Sequence, residues 1–123
     1  YDAIVEVDEM HFTNVIFNLL DNAVKYRRED EPLMLKVATA DISGNRFEIR
    51  ISDNGIGIKR DDLKKIFEKF YRVSTGNRHD VKGFGLGLAY VHKMVTELKG
   101  DIRVESELGI GTTFIIILPL TKN

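Results

Sequence analysis

Three glycine-bearing loops, each at the boundary of a regular element, constrain this chain more than any other feature. Gly55 and Gly57 follow a β-type run, Gly83, Gly85 and Gly87 precede a helical one, and Gly109 and Gly111 lie between two further β-type runs. Glycine adopts positive φ without penalty and lets backbone approach a ligand closely. Backbone N–H groups at a helix N-terminus favour an anion, most often phosphate. One such loop alone is more often an ordinary turn. The Gly83-x-Gly85-x-Gly87 run is not the dinucleotide-binding fingerprint, because the spacing of the third glycine differs and no long strand runs directly into it.

Around these loops the hydrophobic period alternates between two and about 3.6 residues. Ile4–Val7 is a short β-type run, and Asp8 is a good helix N-cap. Met10, Val15, Ile16, Leu19, Leu20, Ala23 and Val24 then fall at helical spacings, predicting a long amphipathic helix to about Tyr26. Leu33–Ala40 and Phe47–Ile51 alternate as a hairpin of half-buried strands, with turn chemistry at Asp41–Asn45. Leu63, Ile66, Phe67 and Phe70 predict a short helix over 60–70, followed by a surface loop over 71–82. Leu88, Val91, Val95 and Leu98 mark a second long helix with Gly100 as its C-cap. Ile102 and Val104 lie on a strand, and Thr112–Leu118 is the last and most apolar strand, stopped by Pro119. The sum predicts an α+β chain, an open sheet covered by helices on one face, with no internal domain boundary over residues 1–123.

Composition narrows the function classes. At 123 residues, with 43% hydrophobic and 30% charged residues, the chain suits one folded domain and not a disordered tail. A formal net charge of -1 gives no support for duplex nucleic acid as the main partner. The absence of cysteine removes disulfides, thiolate-ligated zinc and cysteine catalysis. No apolar run is long enough to span a bilayer, so no membrane contact by this domain is expected. The chain begins with Tyr1 and reads as a piece of a longer protein.

Two sets of polar residues could carry chemistry. Asn14, Asn18 and Asn22 lie four residues apart on one helix face, beside Asp21 and followed by Lys25-Tyr26. Their spacing fits equally a solvated face and a helix edge lining a polar pocket. In the second case an Asn carbonyl is a hard oxygen suited to Mg2+, completed by phosphate oxygens and water. Asp53, at a strand end beside two glycines, is either a turn carboxylate or an acceptor for an exocyclic amine, a group that adenine has at its six-position and guanine lacks.

The boxes Asn18-Leu-Leu-Asp21-Asn22-Ala23-Val24-Lys25-Tyr26, Asp53-x-Gly55-x-Gly57, Phe67-x-x-Phe70-Tyr71-Arg72, Gly83-x-Gly85-x-Gly87-Leu88 and Gly109-x-Gly111-Thr112 occur in that order. They resemble the N box, the three glycine boxes and the F box of the sensor histidine kinase catalytic, ATP-binding domain. That domain belongs to the GHKL superfamily, shared with gyrase, large chaperone ATPases and mismatch-repair ATPases. The resemblance runs from Asp8 to Pro119.

The resemblance implies a Bergerat two-layer α/β sandwich, with a mixed sheet of about five strands and three helices on one face. It implies ATP and Mg2+ as ligands, with ATP between the helices and under a lid formed by residues 71–82. Asn22 matches the Mg2+ ligand and Asn18 the supporting polar position one turn earlier. Lys25 matches a phosphate contact, Tyr26 the aromatic near adenine, and Asp53 the adenine-amine acceptor, with Gly55 and Gly57 shaping that turn. Arg72 matches a basic residue reaching the terminal phosphate, so Asn22, Lys25 and Arg72 are the expected catalytic set. Gly83, Gly85 and Gly87 would shape the end of the lid and present helix N–H groups to phosphate, and Thr112 or Thr113 would border adenine. Ile58, Tyr71, Phe84, Leu86 and Leu88 complete the expected nucleotide-binding residues.

The hydrolysing members place Glu four residues before the Mg2+ Asn, as a general base for water. Here that position is Asn18, which points to transfer and not hydrolysis. The expected acceptor is a His on an upstream helical dimerisation domain, with a response regulator as the next partner. His11, His79 and His92 do not fit the acceptor pattern, so that domain is expected outside this piece. A cytoplasmic domain of a membrane-anchored bacterial sensor is implied. The alternatives are a related serine kinase of the anti-sigma type and a non-catalytic nucleotide-binding docking module. Three positions depart from the usual pattern: Phe84 replaces a small hydroxyl residue, and Arg27-Arg28 follow Tyr26 where small residues are common.

Overall fold

A computed structural model describes residues 9–42, 44–68 and 87–119. In chain order the elements are α1 (Glu9–Lys25), β1 (Leu35–Ile42), β2 (Arg46–Asp53), α2 (Arg60–Leu63), α3 (Gly87–Glu97), β3 (Asp101–Glu107) and β4 (Gly111–Pro119). The four strands form one sheet in the order β1-β2-β4-β3. All three pairings are antiparallel. The few residues between Ile42 and Arg46 and between Glu107 and Gly111 explain two of these pairings, since adjacent strands joined by so few residues can only run antiparallel. The expected fold class holds, but among the described residues the sheet is wholly antiparallel and not mixed, with four strands in place of about five. The run Ile4–Val7, read as a further strand, and the Asp8 cap lie outside those residues.

The core lies between the sheet and the helices. Val15 and Leu19 of α1 and Val91, Met94 and Val95 of α3 pack with Ile49 and Ile51 of β2, Ile102 of β3, and Phe114, Ile116 and Leu118 of β4. Strand alternation puts Ile115 and Ile117 on the opposite face, yet both are buried. The register explains this: Glu48 and Arg50 of β2 flank Ile117 and Ile115 on one side, and Asp101 and Arg103 of β3 flank them on the other. The pairs Arg50–Glu48 at 3.0 Å and Arg103–Asp101 at 3.1 Å run along their strands beside these isoleucines. Long charged side chains cover apolar surface in this way while their heads stay wet.

Three details differ from the periodicity. β1, read as half-buried, is the edge strand and is exposed over nearly its whole length, with Val37 60% exposed. The turn expected at Asp41–Asn45 is shorter, because Asp41 and Ile42 pair with Phe47 and Arg46. At the end of α3 the left-handed residue is Lys99 (φ 64) and not Gly100. The bonds Gly100 N–H to Val95 O at 2.9 Å and Lys99 N–H to Thr96 O at 3.0 Å form a Schellman cap one residue earlier than expected. Gly100 is small for another reason: a Cβ there would lie 2.5 Å from Ile117 O.

Phe114, 2% exposed at the centre of the core, and Val37 on the open edge test this layering. Phe114→Ala should cost about 3–5 kcal/mol, and Val37→Ala should stay within about 0.5 kcal/mol. Urea denaturation midpoints of the two variants check both values.

Candidate functional site

The site is built where three sequence-distant segments meet at one end of the sheet. β2 ends at Asp53, whose register partner on β4 is Thr112, so both side chains share the helix-facing side. Asp53 Oδ1 accepts a hydrogen bond from Gly55 N–H at 2.8 Å. Partial burial pushes the Asp53 carboxyl above the ordinary carboxylate range, and the backbone N–H groups of Gly55 and Thr112 offset only part of that. A carboxylate has about four acceptor sites, so two backbone donors leave capacity for an N–H of a bound molecule.

Two glycines allow the backbones around Asp53 to touch. Gly57 has φ +81, and a Cβ there would lie 2.2 Å from Glu107 O. Gly111 has φ +145, and a Cβ there would lie 2.0 Å from Asp53 O. Both obstacles are backbone, so no side chain is accommodated by a rotamer change. Gly55 N–H faces Asp53, and a Cβ at Gly55 would meet Tyr26 O at 2.6 Å. The turn is thereby wedged between the end of α1 and the β3–β4 hairpin.

A serine that the sequence did not single out completes this wall. Ser106 Oγ accepts Ile58 N–H at 2.8 Å and lies 2.8 Å from both Gly111 O and Thr112 Oγ1. If its proton goes to the Gly111 carbonyl, Thr112 must donate to Ser106, and the hydroxyl's three sites are all used. Thr112 therefore belongs to the pocket side. Thr113 does not: its hydroxyl lies 2.9 Å from Ser52 Oγ on the opposite sheet face. Asn54 also escaped the sequence reading. Its amide accepts Met34 N–H at 2.8 Å and donates to Pro32 O at 3.0 Å, fixing the segment that leads into β1. Its position beside two glycines was a turn signal, but its partners twenty and more residues away were not visible.

The α1 side carries Asn18, Asn22, Lys25 and Tyr26. Asn18 Nδ2 donates to Asn14 O at 2.7 Å, which turns its Oδ1 toward Gly87, where a Cβ would sit 3.1 Å away. The start of α3 thus lies against α1 at Asn18, with Leu88 half-buried in the next position. Asn22 is half-buried. Lys25 Nζ pairs with Asp21 at 3.1 Å across one turn. Tyr26 O accepts Ile56 N–H at 3.0 Å. Ile58 is buried in the core beside this turn. Phe67 packs on His92 and Phe114, with ring centroids 5.4 and 6.4 Å apart. The helix predicted over 60–70 is α-helical only to Leu63, and the bonds Lys65 N–H to Asp62 O and Glu68 N–H to Lys65 O tighten it into turns. Tyr71, Arg72, Gly83, Phe84, Gly85 and Leu86, with the expected lid, lie outside the described residues.

Known proteins share this fold. The family described as histidine kinase-, DNA gyrase B- and HSP90-like ATPase matches residues 7–122, and the chain belongs to that family. Sensor protein RprX of Bacteroides fragilis is 63% identical over 122 residues, 99% of this chain and 23% of that protein. Autoinducer 2 sensor kinase/phosphatase LuxQ of Vibrio cholerae is 39% identical over 96% of this chain and 14% of its own length. The chain thus spans less than a quarter of these relatives. Among solved structures, the mycobacterial sensor histidine kinase MprB superposes with a TM-score of 0.83 at 29% identity, covering 97% of this chain and 78% of that one. Full-length ShkA in complex with AMPPNP gives 0.81 at 30% identity, over 99% of this chain and 24% of that one. No helix among the described residues is long and apolar enough to cross a membrane.

The raised Asp53 value has a consequence with a definite sign. Its folded-state pKa lies above the reference 3.8, so ionisation opposes folding. The contribution of this group is fully present below the unfolded-state pKa and is lost as pH rises through the folded-state one. The stability of the native protein relative to Asp53→Asn should therefore decline from about pH 3 upward and level off by about pH 7. Denaturation midpoints of both proteins across that range check it; a difference that rises with pH would contradict the burial of Asp53.

Proposed function

We propose that this chain is the catalytic part of a sensor histidine kinase: it binds Mg2+–ATP and passes the γ-phosphoryl group to a histidine on a helical dimerisation domain upstream. One observation carries this reading. Hydrogen bonds and close contacts bring the Asn18–Tyr26 helix end, the Asp53–Gly57 turn, Thr112 and the Gly87 start of α3 to one end of the sandwich, close enough together to serve one ligand. Membership of an ATPase family and similarity to the AMPPNP-bound ShkA structure support nucleotide as that molecule.

The roles follow from the chemistry of each group. Asp53 accepts the exocyclic amine of adenine, with Thr112 and Tyr26 on the flanks. Asn22 offers an amide oxygen to Mg2+. The fit is with an ion held mainly by phosphates and water: among the described residues no cluster of three His, Asp or Glu could hold a metal by itself. Mg2+ supplies charge neutralisation on the phosphates when bound. Lys25 is paired with Asp21 through an exposed contact worth only about 0.3–0.5 kcal/mol, so a phosphate can draw it away. Arg72 and the Gly83–Gly87 run complete the phosphate end in this reading.

Asn18 separates transfer from hydrolysis. Its amide donates to Asn14 O and has no basic site at neutral pH, so it cannot take a proton from water. The imidazole nitrogen of the acceptor histidine forms a bond to the γ-phosphorus as the bond to the β,γ-bridging oxygen breaks, and ADP leaves. Catalysis rests on positioning and charge neutralisation. A response regulator then takes the phosphoryl group, and sensing and anchoring belong to other parts of a longer protein.

Calorimetric titration with ATP and GTP, with and without Mg2+, is the first test. ATP should bind saturably, with Mg2+ dependence, and at least about tenfold tighter than GTP, because guanine turns an oxygen in place of an amine toward the half-buried Asp53 carboxylate. With an upstream His domain supplied, Asn22→Ala should lower acid-labile phosphorylation by about 100-fold or more. No binding at millimolar ATP in a folded sample would move the reading to a docking module; near-normal transfer by Asn22→Ala would remove the metal assignment.

A further inference from the structure

The residues that close the purine end include one with no place in the family resemblance. Arg28 lies two residues beyond Tyr26, in the charged loop after α1, and 81 residues before the hairpin tip it touches. Its Nη1 donates to Gly109 O at 2.9 Å. Its Nε and Nη2 donate to Asp30 Oδ1 and Oδ2, both at 3.1 Å, and Glu31 lies 4.0 Å away. The bidentate carboxylate holds the guanidinium plane, so the remaining fork position is aimed at the carbonyl.

This bond closes a ring. Tyr26 O accepts Ile56 N–H at 3.0 Å, and Ile56 O accepts Gly109 N–H at 2.9 Å. Gly109 O accepts from Arg28, and the chain returns to Tyr26 through Arg27. Three loops are tied to one another: the end of α1, the Asp53–Gly57 turn and the β3–β4 hairpin. Side-chain burial contributes little to holding the tip. Leu108 is 54% and Ile110 64% exposed, and nothing lies within 4 Å of a Cβ built at Gly109. Two residues beyond the tip's Gly109 the chain becomes the Gly111–Thr112 wall against Asp53.

We propose that Arg28 is a positioning residue for the nucleotide pocket: by pinning the Gly109 carbonyl it holds the hairpin, and with it the Gly111–Thr112 wall, in the geometry that receives the purine. The inference rests on the nucleotide-binding reading above and adds a residue to it. Arg28 makes no contact with the ligand. It acts by ordering the wall beforehand, which lowers the ordering cost of binding. The effect belongs to the purine end, so it is independent of the phosphates.

Arg27 provides the control. It has the same charge and is adjacent in sequence, but its Nη1 turns back to Val24 O at 2.8 Å on its own helix. Titration of the 123-residue chain with ATP, ADP and adenosine should show Arg28→Ala weakening all three by a common factor of about three to ten, the range of one lost hydrogen bond. Arg28→Lys should recover only part, because an ammonium cannot serve the Asp30 carboxylate and the carbonyl in one fork. Arg27→Ala should stay within about twofold. A loss shared by Arg27→Ala would reduce the effect to net charge. A loss for ATP but not adenosine would make Arg28 a phosphate contact. Either overturns the proposal, as does unchanged affinity in Arg28→Ala.

Amide hydrogen exchange without nucleotide reads the strut separately. The Gly109 N–H should exchange several-fold faster in Arg28→Ala, about three- to tenfold by the same reasoning, and no faster in Arg27→Ala. Equal exchange in all three proteins overturns the strut whatever the nucleotide result. Normal exchange behaviour with no nucleotide binding by the native chain would instead fell the nucleotide reading.

Discussion

The approach of the Gly111 backbone to the Asp53 carbonyl sets the geometry on which the rest of the site depends. β4 enters the sheet at that point, with no room for even a Cβ at position 111. From there the strand runs through the centre of the molecule, buried on both faces up to Leu118. Any residue larger than glycine would displace β4 from β2 at its first pair. That would move Thr112 from Asp53 and shift Phe114, Ile116 and Leu118 against the helices. Core packing and pocket shape are therefore joined through one register, Asp53 opposite Thr112.

A two-layer sandwich normally leaves one sheet face to water. Here the most apolar strand lies in the middle of that face, which would expose Ile115 and Ile117. The sheet order resolves the conflict: β4 has a strand on either side, and each supplies an ion pair along its own length beside the isoleucines. These pairs are exposed and contribute little as ion pairs. Their stems matter more, because they remove apolar surface from water. On the edge strand β1, Leu35 and Val37 share the helix-facing side with Asp53 and Ile51, yet both stay exposed.

Element type and order were largely legible in the sequence, because period-two and helical spacings reach only a few residues along the chain. α1 starts and ends within a residue or so of where the apolar stripe does, and α3 follows its stripe equally well. What periodicity could not show was which strand lies at the edge, so alternation in Leu35 and Val37 was read as burial. Gly100 was read as a left-handed cap because glycine usually takes that position, whereas Lys99 takes it and Gly100 serves a close contact with β4. In the site, Asn18, Tyr26, Asp53, Gly57 and Thr112 were visible as boxes. Ser106 and Arg28 were not: a lone serine on a strand and an arginine in a charged loop carry no local pattern. Thr113 and Thr112 were indistinguishable until the register assigned them to opposite faces.

The distribution of strength across the site fits a pocket that must both hold and release a charged molecule. Around Asp53 the contacts are backbone to backbone or backbone to a half-buried carboxylate, and glycines make them too close to adjust. Such contacts resist displacement because no rotamer change relieves them. On the α1 side Lys25 is held by Asp21 in an exposed pair on a single helix turn. That pair keeps the ammonium near its place at small cost and gives it up to a stronger anion. A rigid turn at Asp53 and an exchangeable ion pair on α1 suit the proposed function, in which the phosphate tail of the nucleotide changes and the base does not. Under that proposal, discrimination among bases falls to the part that cannot move, and turnover requires movement only where charge is transferred.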